Sequence, residues 1–163
     1  MEWDARRPRR KSARGISPSV RPARNFRRGH GTAREGAQLY RAKGCAGCHG
    51  ATGVEGTAPI LKSKRGPDVE LWERGRILPL RAPFATTVWD YINRAMPLNR
   101  EGTLTADEVY ALTAFLLYVN DVIPAEEVLD AQSLPKVKMP IGNDYAPLPE
   151  WKHGTPKLKG YPY

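Results

Sequence analysis

Long hydrophobic runs are missing from this 163-residue sequence. The longest uncharged stretch, residues 109–120, falls far short of the ~20 apolar residues that a membrane-spanning helix needs, so a span is excluded. Cysteine is scarce as well: two residues allow at most one bridge, which excludes a multi-disulfide scaffold. Residues 50–84 show no run of period two, so no convincing strand is expected there. Residues 1–30 contain no apolar stretch of the ~7–15 residues that an export signal requires. No internal repeat is present. Proline and glycine, 15 of each, are abundant instead, and they predict many turns and extended segments.

The net charge of +9 invites a nucleic-acid reading, and its location answers it. Residues 1–30 hold ten arginines and lysines against Glu2 and Asp4, whereas residues 31–163 hold 16 basic and 15 acidic side chains. The block Arg6-Arg7-Pro8-Arg9-Arg10-Lys11 repels itself and has no apolar surface to bury. No aromatic side chains interleave with it as a stacking surface requires. Residues 1–31 are therefore expected to be an unstructured leader, or the product of a start placed upstream of the true protein, and no nucleic-acid partner is expected.

Residues 32–120 carry nearly all the helical patterning and define the expected domain. Thr32 can cap a helix over residues 33–43 that Gly44 stops. Residues 85–95 place Val88, Tyr91, Ile92 and Ala95 on one face, and Pro97 forbids continuation. Thr105-Ala106-Asp107-Glu108 is a capping box ahead of the stripe Val109, Leu112, Leu116 and Val119. A short acidic helix is expected over residues 125–131. The prolines at 135, 140, 147, 149, 156 and 162 then predict an extended tail, completing a third zone over residues 121–163. The fold class is all-α with long loops.

The chemistry concentrates in Cys45-Ala46-Gly47-Cys48-His49. The pattern C-x-x-C-H is the attachment signature of c-type haem, with two thiols for the porphyrin edge and an adjacent imidazole for the iron. Three other readings compete. A thioredoxin-type pair would follow a strand, but here a helix precedes the motif. Zinc would need two further ligands, with only His30 and His153 left among the histidines. A disulfide across so short a loop would stabilise little.

Haem iron also takes a sixth ligand, and the soft thioether of methionine raises the potential. Met96, before Pro97 and between two helices, is favoured over Met139, which precedes Pro140 in the proline-rich tail. Pro59 follows His49 by ten residues, and its carbonyl could accept from the imidazole Nδ1. Spacing alone does not separate that role from an ordinary loop proline.

With these residues in place, residues 32–120 resemble the class I cytochromes c. Gly36 and Tyr40 stand where that family's first helix crosses its last, opposite Leu112, Phe115 and Leu116. A narrower resemblance lies in Phe84-Ala85-Thr86-Thr87-Val88-Trp89-Asp90-Tyr91-Ile92-Asn93-Arg94-Ala95-Met96-Pro97. This run, residues 104–117 and Leu134-Pro135-Lys136-Val137-Lys138-Met139-Pro140 are similar to the monohaem cytochrome subunits of bacterial sulfite and sulfane dehydrogenases.

The resemblance implies one haem c, attached through Cys45 and Cys48 with His49 and Met96 on the iron. Its expected walls are Ile60, Leu61, Phe84 and Trp89, with Arg65 or Arg81 near the propionates. The resemblance also implies a molybdenum-cofactor dehydrogenase subunit as partner, a downstream electron acceptor, and a periplasmic location. On this reading the chain is an electron-transfer subunit and no catalyst by itself. A free-standing carrier to a terminal oxidase and a haem-based sensor with an open iron site are the alternatives.

Overall fold

Helices begin where a side chain can stand in for the missing backbone acceptor of the first turn. In this computed structural model, which describes residues 26–141, two helices begin that way. Thr32 caps α1 (Ala33–Ala42): its hydroxyl accepts from the Glu35 N–H at 3.4 Å, and the Glu35 carboxylate accepts from the Thr32 N–H at 2.8 Å. Four further helices follow: α2 (Cys45–His49), α3 (Leu78–Arg81), α4 (Ala85–Ala95) and α5 (Ala106–Tyr118). Thr105 and Glu108 repeat the capping box at α5, with bonds of 3.3 and 2.9 Å. Each such cap contributes about 1 kcal/mol. Short 3₁₀ turns occupy Leu71–Arg74 and Leu134–Lys136, and a two-residue ribbon pairs β1 (His30–Gly31) antiparallel to β2 (Leu129–Asp130).

The α1–α5 crossing organises the core. Gly36 lies so close to the carbonyl of Ala111 and to Phe115 that a side chain there would collide with both. One turn on, the Tyr40 and Phe115 rings meet at 5.2 Å between centroids, tilted by 49°. Lys43 Nζ then ties the end of α1 to Glu108 Oε1 at 2.6 Å. On the other side of α5, α4 buries Val88, Trp89 and Ile92. Helix α4 ends at Met96, which has φ −126° and ψ 149°, because the residue before a proline is driven out of the helical region.

The structure changes three expectations. The stripe of α5 predicts one buried face, yet residues 109–114, Leu116 and Leu117 are all buried. The second face is covered by residues 26–31, which the sequence reading assigns to the leader. Phe26 packs edge-on against Trp89 at 4.9 Å, Tyr110 Oη donates to the Arg27 carbonyl at 3.2 Å, and Gly31 lies against the Ala111 backbone. The helix expected over residues 125–131 does not form. Asp130 Oδ1 accepts from the N–H groups of Gln132 and Ser133, both at 2.7 Å, and this Asx turn competes with helical bonding while Leu129 pairs with Gly31. The start of the expected tail is also packed: Leu134 is fully buried, and Met139 is 5% exposed within the main hydrophobic cluster. The leader as far as residue 25 and the tail from residue 142 lie outside the described residues.

Gly36→Ala should destabilise the protein by about 1–3 kcal/mol, since the added methyl must separate two helices in close contact. Denaturant unfolding of the holoprotein measures this, with a lower midpoint expected.

Candidate functional site

Helix α2 is a single turn held between two glycines that must adopt positive φ: Gly44 at 81° and Gly50 at 82°. Glycine takes that region at no steric cost, so the chain can turn sharply into and out of the motif. The Gly50 N–H donates back to the Ala46 carbonyl at 2.9 Å, and Tyr40 Oη donates to the Gly50 carbonyl at 2.8 Å. The second bond joins the motif to α1. Beyond Gly50, the Ala58 N–H donates to the Cys48 carbonyl at 2.9 Å, and Gly56 lies so close to that carbonyl that no side chain fits. Thr52 and Glu55 brace this loop through bonds of 2.5 Å between side chains and 3.2 Å to the Thr52 N–H.

His49 Nδ1 lies 2.8 Å from the Pro59 carbonyl oxygen. A carbonyl only accepts, so Nδ1 carries the proton and Nε2 is left as a free lone pair. The spacing argument for Pro59 is thus matched by a bond. Cys45 and Cys48 are both free thiols; Cys45 is half-buried and Cys48 exposed. Burial pushes the Cys45 thiol above its ordinary range. The site therefore presents two unbridged thiols and one oriented imidazole nitrogen.

The competing readings fare less well. Among the described residues, no group of three or more His, Cys, Asp or Glu side chains could hold a metal ion, which removes the zinc site there. The motif follows α1, and among the described residues the one sheet is an antiparallel two-residue ribbon, contrary to a thioredoxin-type arrangement.

The other expected site residues are placed as follows. Leu61 is half-buried against the hydrophobic cluster, and Met96 packs at the same cluster's edge. Ile60 at 38% and Phe84 at 49% exposure present apolar surface to solvent. Trp89 sits between Phe26 and Tyr110 in an aromatic group, and its buried Nε1 has no hydrogen-bond partner. Arg65 is paired with Glu73 at 2.9 Å, and Arg81 is half-buried at the end of α3. Thiols, a free imidazole nitrogen, a thioether and uncovered apolar side chains are a donor and contact set that fits a haem. Sequence reasoning missed Tyr40 Oη as the motif's tie to α1. It also missed Asn120, which is buried with three side-chain hydrogen bonds. An asparagine ending an apolar helical run was the available signal.

Two tyrosines share an alkaline signature. Burial, with the nearby Cys45 and Glu55, pushes Tyr40 up to about 12, and burial with Asp130 pushes Tyr110 up to about 12. The folded values lie above the ordinary 10.0, so the protonated phenols stabilise the fold fully below that pH. This contribution is lost as the pH rises through about 12. Ultraviolet titration should show two late-ionising tyrosines among the described residues, and Tyr40→Phe should remove one of them.

Residues 31–116 match the family described as cytochrome c oxidase, cbb3-type, subunit III. The crystal structure of the sulfane dehydrogenase SoxCD from Paracoccus pantotrophus is similar at 32% identity with a TM-score of 0.64. That match covers 77% of this chain and 62% of the other chain, so this chain spans less than two thirds of its relative. No curated protein matches the sequence. Among the described residues, no helix is long and apolar enough to cross a membrane. The chain belongs to the c-type cytochrome family, whose domain implies covalently bound haem c and electron transfer.

Proposed function

We propose that this chain is the monohaem electron-transfer subunit of a molybdenum-dependent sulfite or sulfane dehydrogenase. In this reading Cys45 and Cys48 would attach one haem c, His49 Nε2 and Met96 Sδ would ligate its iron, and the protein works in the periplasm. The observation that carries the site assignment is the 2.8 Å bond from His49 Nδ1 to the Pro59 carbonyl beside two unbridged thiols. The bound haem would supply a reversible one-electron iron couple. The chain's own residues do the rest. Pro59 fixes the imidazole tautomer and raises its basicity. Tyr40 holds the motif to α1, and Leu61 packs the following segment against the hydrophobic core.

Met96 and Met139 now differ clearly. Met96 closes α4 in an extended conformation, half-buried, with its backbone direction set by Pro97. Met139 is buried among Leu134 and its neighbours in the hydrophobic cluster, where a methionine acts as core filler.

Support for the dehydrogenase partner comes from the SoxCD likeness, which reaches beyond the family match to 77% of the chain. A second reading, delivery of electrons to a terminal oxidase, is favoured by the description of the matching family as an oxidase subunit. Affinity purification of the holoprotein from its source separates them. Stoichiometric molybdenum in the eluate supports the first, and its absence with a copper–haem oxidase present supports the second. Carbon monoxide binding to the reduced protein would expose an open iron site, as a sensor would have.

Met96→Ala should lower the reduction potential and abolish the weak near-infrared methionine-to-iron band of the oxidised protein. Met139→Ala should keep both while costing about 2–5 kcal/mol of stability, because it empties a buried site. A band lost in the Met139 variant and kept in the Met96 variant would reverse the assignment.

The periplasmic location is checked by cell fractionation, with holoprotein expected in the periplasmic fraction. Holoprotein retaining Met1 in the cytoplasm would contradict it.

A further inference from the structure

The Pro59 carbonyl can orient His49 only as well as its own segment is held. Residues 59–63 have no helix or strand to fix them, and Ile60 and Pro59 are exposed. Two neighbouring elements hold the segment instead. On the motif side, the Leu61 N–H donates to the Gly53 carbonyl at 2.8 Å. On the far side stands Asn120, just beyond the end of α5 and 0% exposed.

The Asn120 side chain uses every group it has in that direction. Its Nδ2 donates to the Leu61 carbonyl and to the Leu116 carbonyl, both at 2.8 Å, and its Oδ1 accepts from the Ser63 N–H at 3.0 Å. One amide thus clasps the segment at two points and fastens both to α5. The backbone of Asn120 is pinned in turn. Arg74, with only 6% of its side chain exposed, donates Nη2 to the Asn120 carbonyl at 2.9 Å and to Asp121 Oδ2 at 3.0 Å. Ser63 Oγ donates to the Arg74 carbonyl at 2.9 Å, closing the loop of contacts. Only Ile60 separates Leu61, whose carbonyl Asn120 binds, from Pro59, whose carbonyl His49 meets.

We infer that Asn120 is a positioning residue for the His49 ligand, acting through residues 61–63 to hold the Pro59 carbonyl on Nδ1. The inference rests on the reading of His49 as an iron ligand. A bond from Nδ1 to a carbonyl raises the basicity of the imidazole, which favours the more positive, oxidised metal. Releasing the segment weakens that bond, so the potential should rise. Loosening that merely admits water acts oppositely, because a wetter site also favours the oxidised, more charged iron. The sign of the shift separates positioning from general destabilisation.

The test compares four holoproteins: wild type, Asn120→Ala, Asn120→Ser and Leu129→Ala. Asn120→Ser is the milder variant, keeping a hydroxyl that can bond the Leu116 carbonyl one turn back while falling short of the segment; it carries the test if the alanine variant does not fold. Leu129→Ala empties a fully buried position in the β-ribbon and reports destabilisation alone. Potentiometric titration, electron paramagnetic resonance of the oxidised form and amide exchange are measured on each.

Both Asn120 variants should show a raised potential, altered g values, and exchange at Ser63 roughly tenfold faster, the factor expected from one lost buried hydrogen bond. Leu129→Ala should show an unmoved or lowered potential and unaltered g values. Asn120 variants whose potential is unchanged, or falls as in Leu129→Ala, would overturn the inference while leaving His49 ligation standing. A wild type whose resonance lacks a histidine ligand would overturn the reading of the site, and the inference with it.

Discussion

An imidazole offers two nitrogens, and a ligand is well defined only when one of them is already occupied. In this chain the Pro59 carbonyl occupies Nδ1 of His49 at 2.8 Å, and the surrounding structure serves to keep those two groups together. His49 is fixed by the single turn of α2, by the Gly50 reversal behind it and by Tyr40 from α1. Pro59 is fixed through the Leu61 bond to Gly53 and through Asn120 at the end of α5. The imidazole therefore hangs from α1, and its acceptor is held both by the motif's own loop and by the end of α5. Those two helices cross closely at Gly36 and Ala111.

That dependence explains why so much of the molecule is devoted to α5. Residues 109–114, Leu116 and Leu117 of that helix are buried, and the segment carrying Phe26 and Arg27 is drawn over its otherwise uncovered face. A domain this size has little apolar surface to bury, and a bound macrocycle would add to it. Of the apolar residues expected to wall the haem, Ile60 and Phe84 are exposed.

How much of this was readable in the sequence depended on the range of the interactions. Thr32 with Glu35 and Thr105 with Glu108 are three residues apart, so both capping boxes and the helix starts were visible directly. The same holds for Pro97, which stops α4 at Met96 through purely local sterics. The short motif at Cys45 to His49 carries its chemistry in five consecutive residues. Pro59 was readable only as a spacing, because its role depends on where a carbonyl points. The contacts of Phe26 with Trp89 and of Gly31 with Leu129 join residues 63 and 98 positions apart, and charge composition gave no hint that residues 26–31 join the core. The acidic stretch at residues 125–131 fails as a helix for a local reason that was present but outweighed in the reading: Asp130 and Ser133 favour an Asx turn. Asn120 acts over more than fifty residues: its place at the end of an apolar helical run was visible in the sequence, but its partners were not.

The central claim is that Cys45 and Cys48 hold one haem next to His49. It is tested most directly by the intact mass of denatured protein made alongside haem-attachment machinery, with peptide mapping of the adduct. A mass increase of one haem is expected, resistant to acid-acetone extraction and confined to the peptide containing residues 45–49. Protein of unmodified mass in which both thiols react freely with an alkylating agent would contradict it.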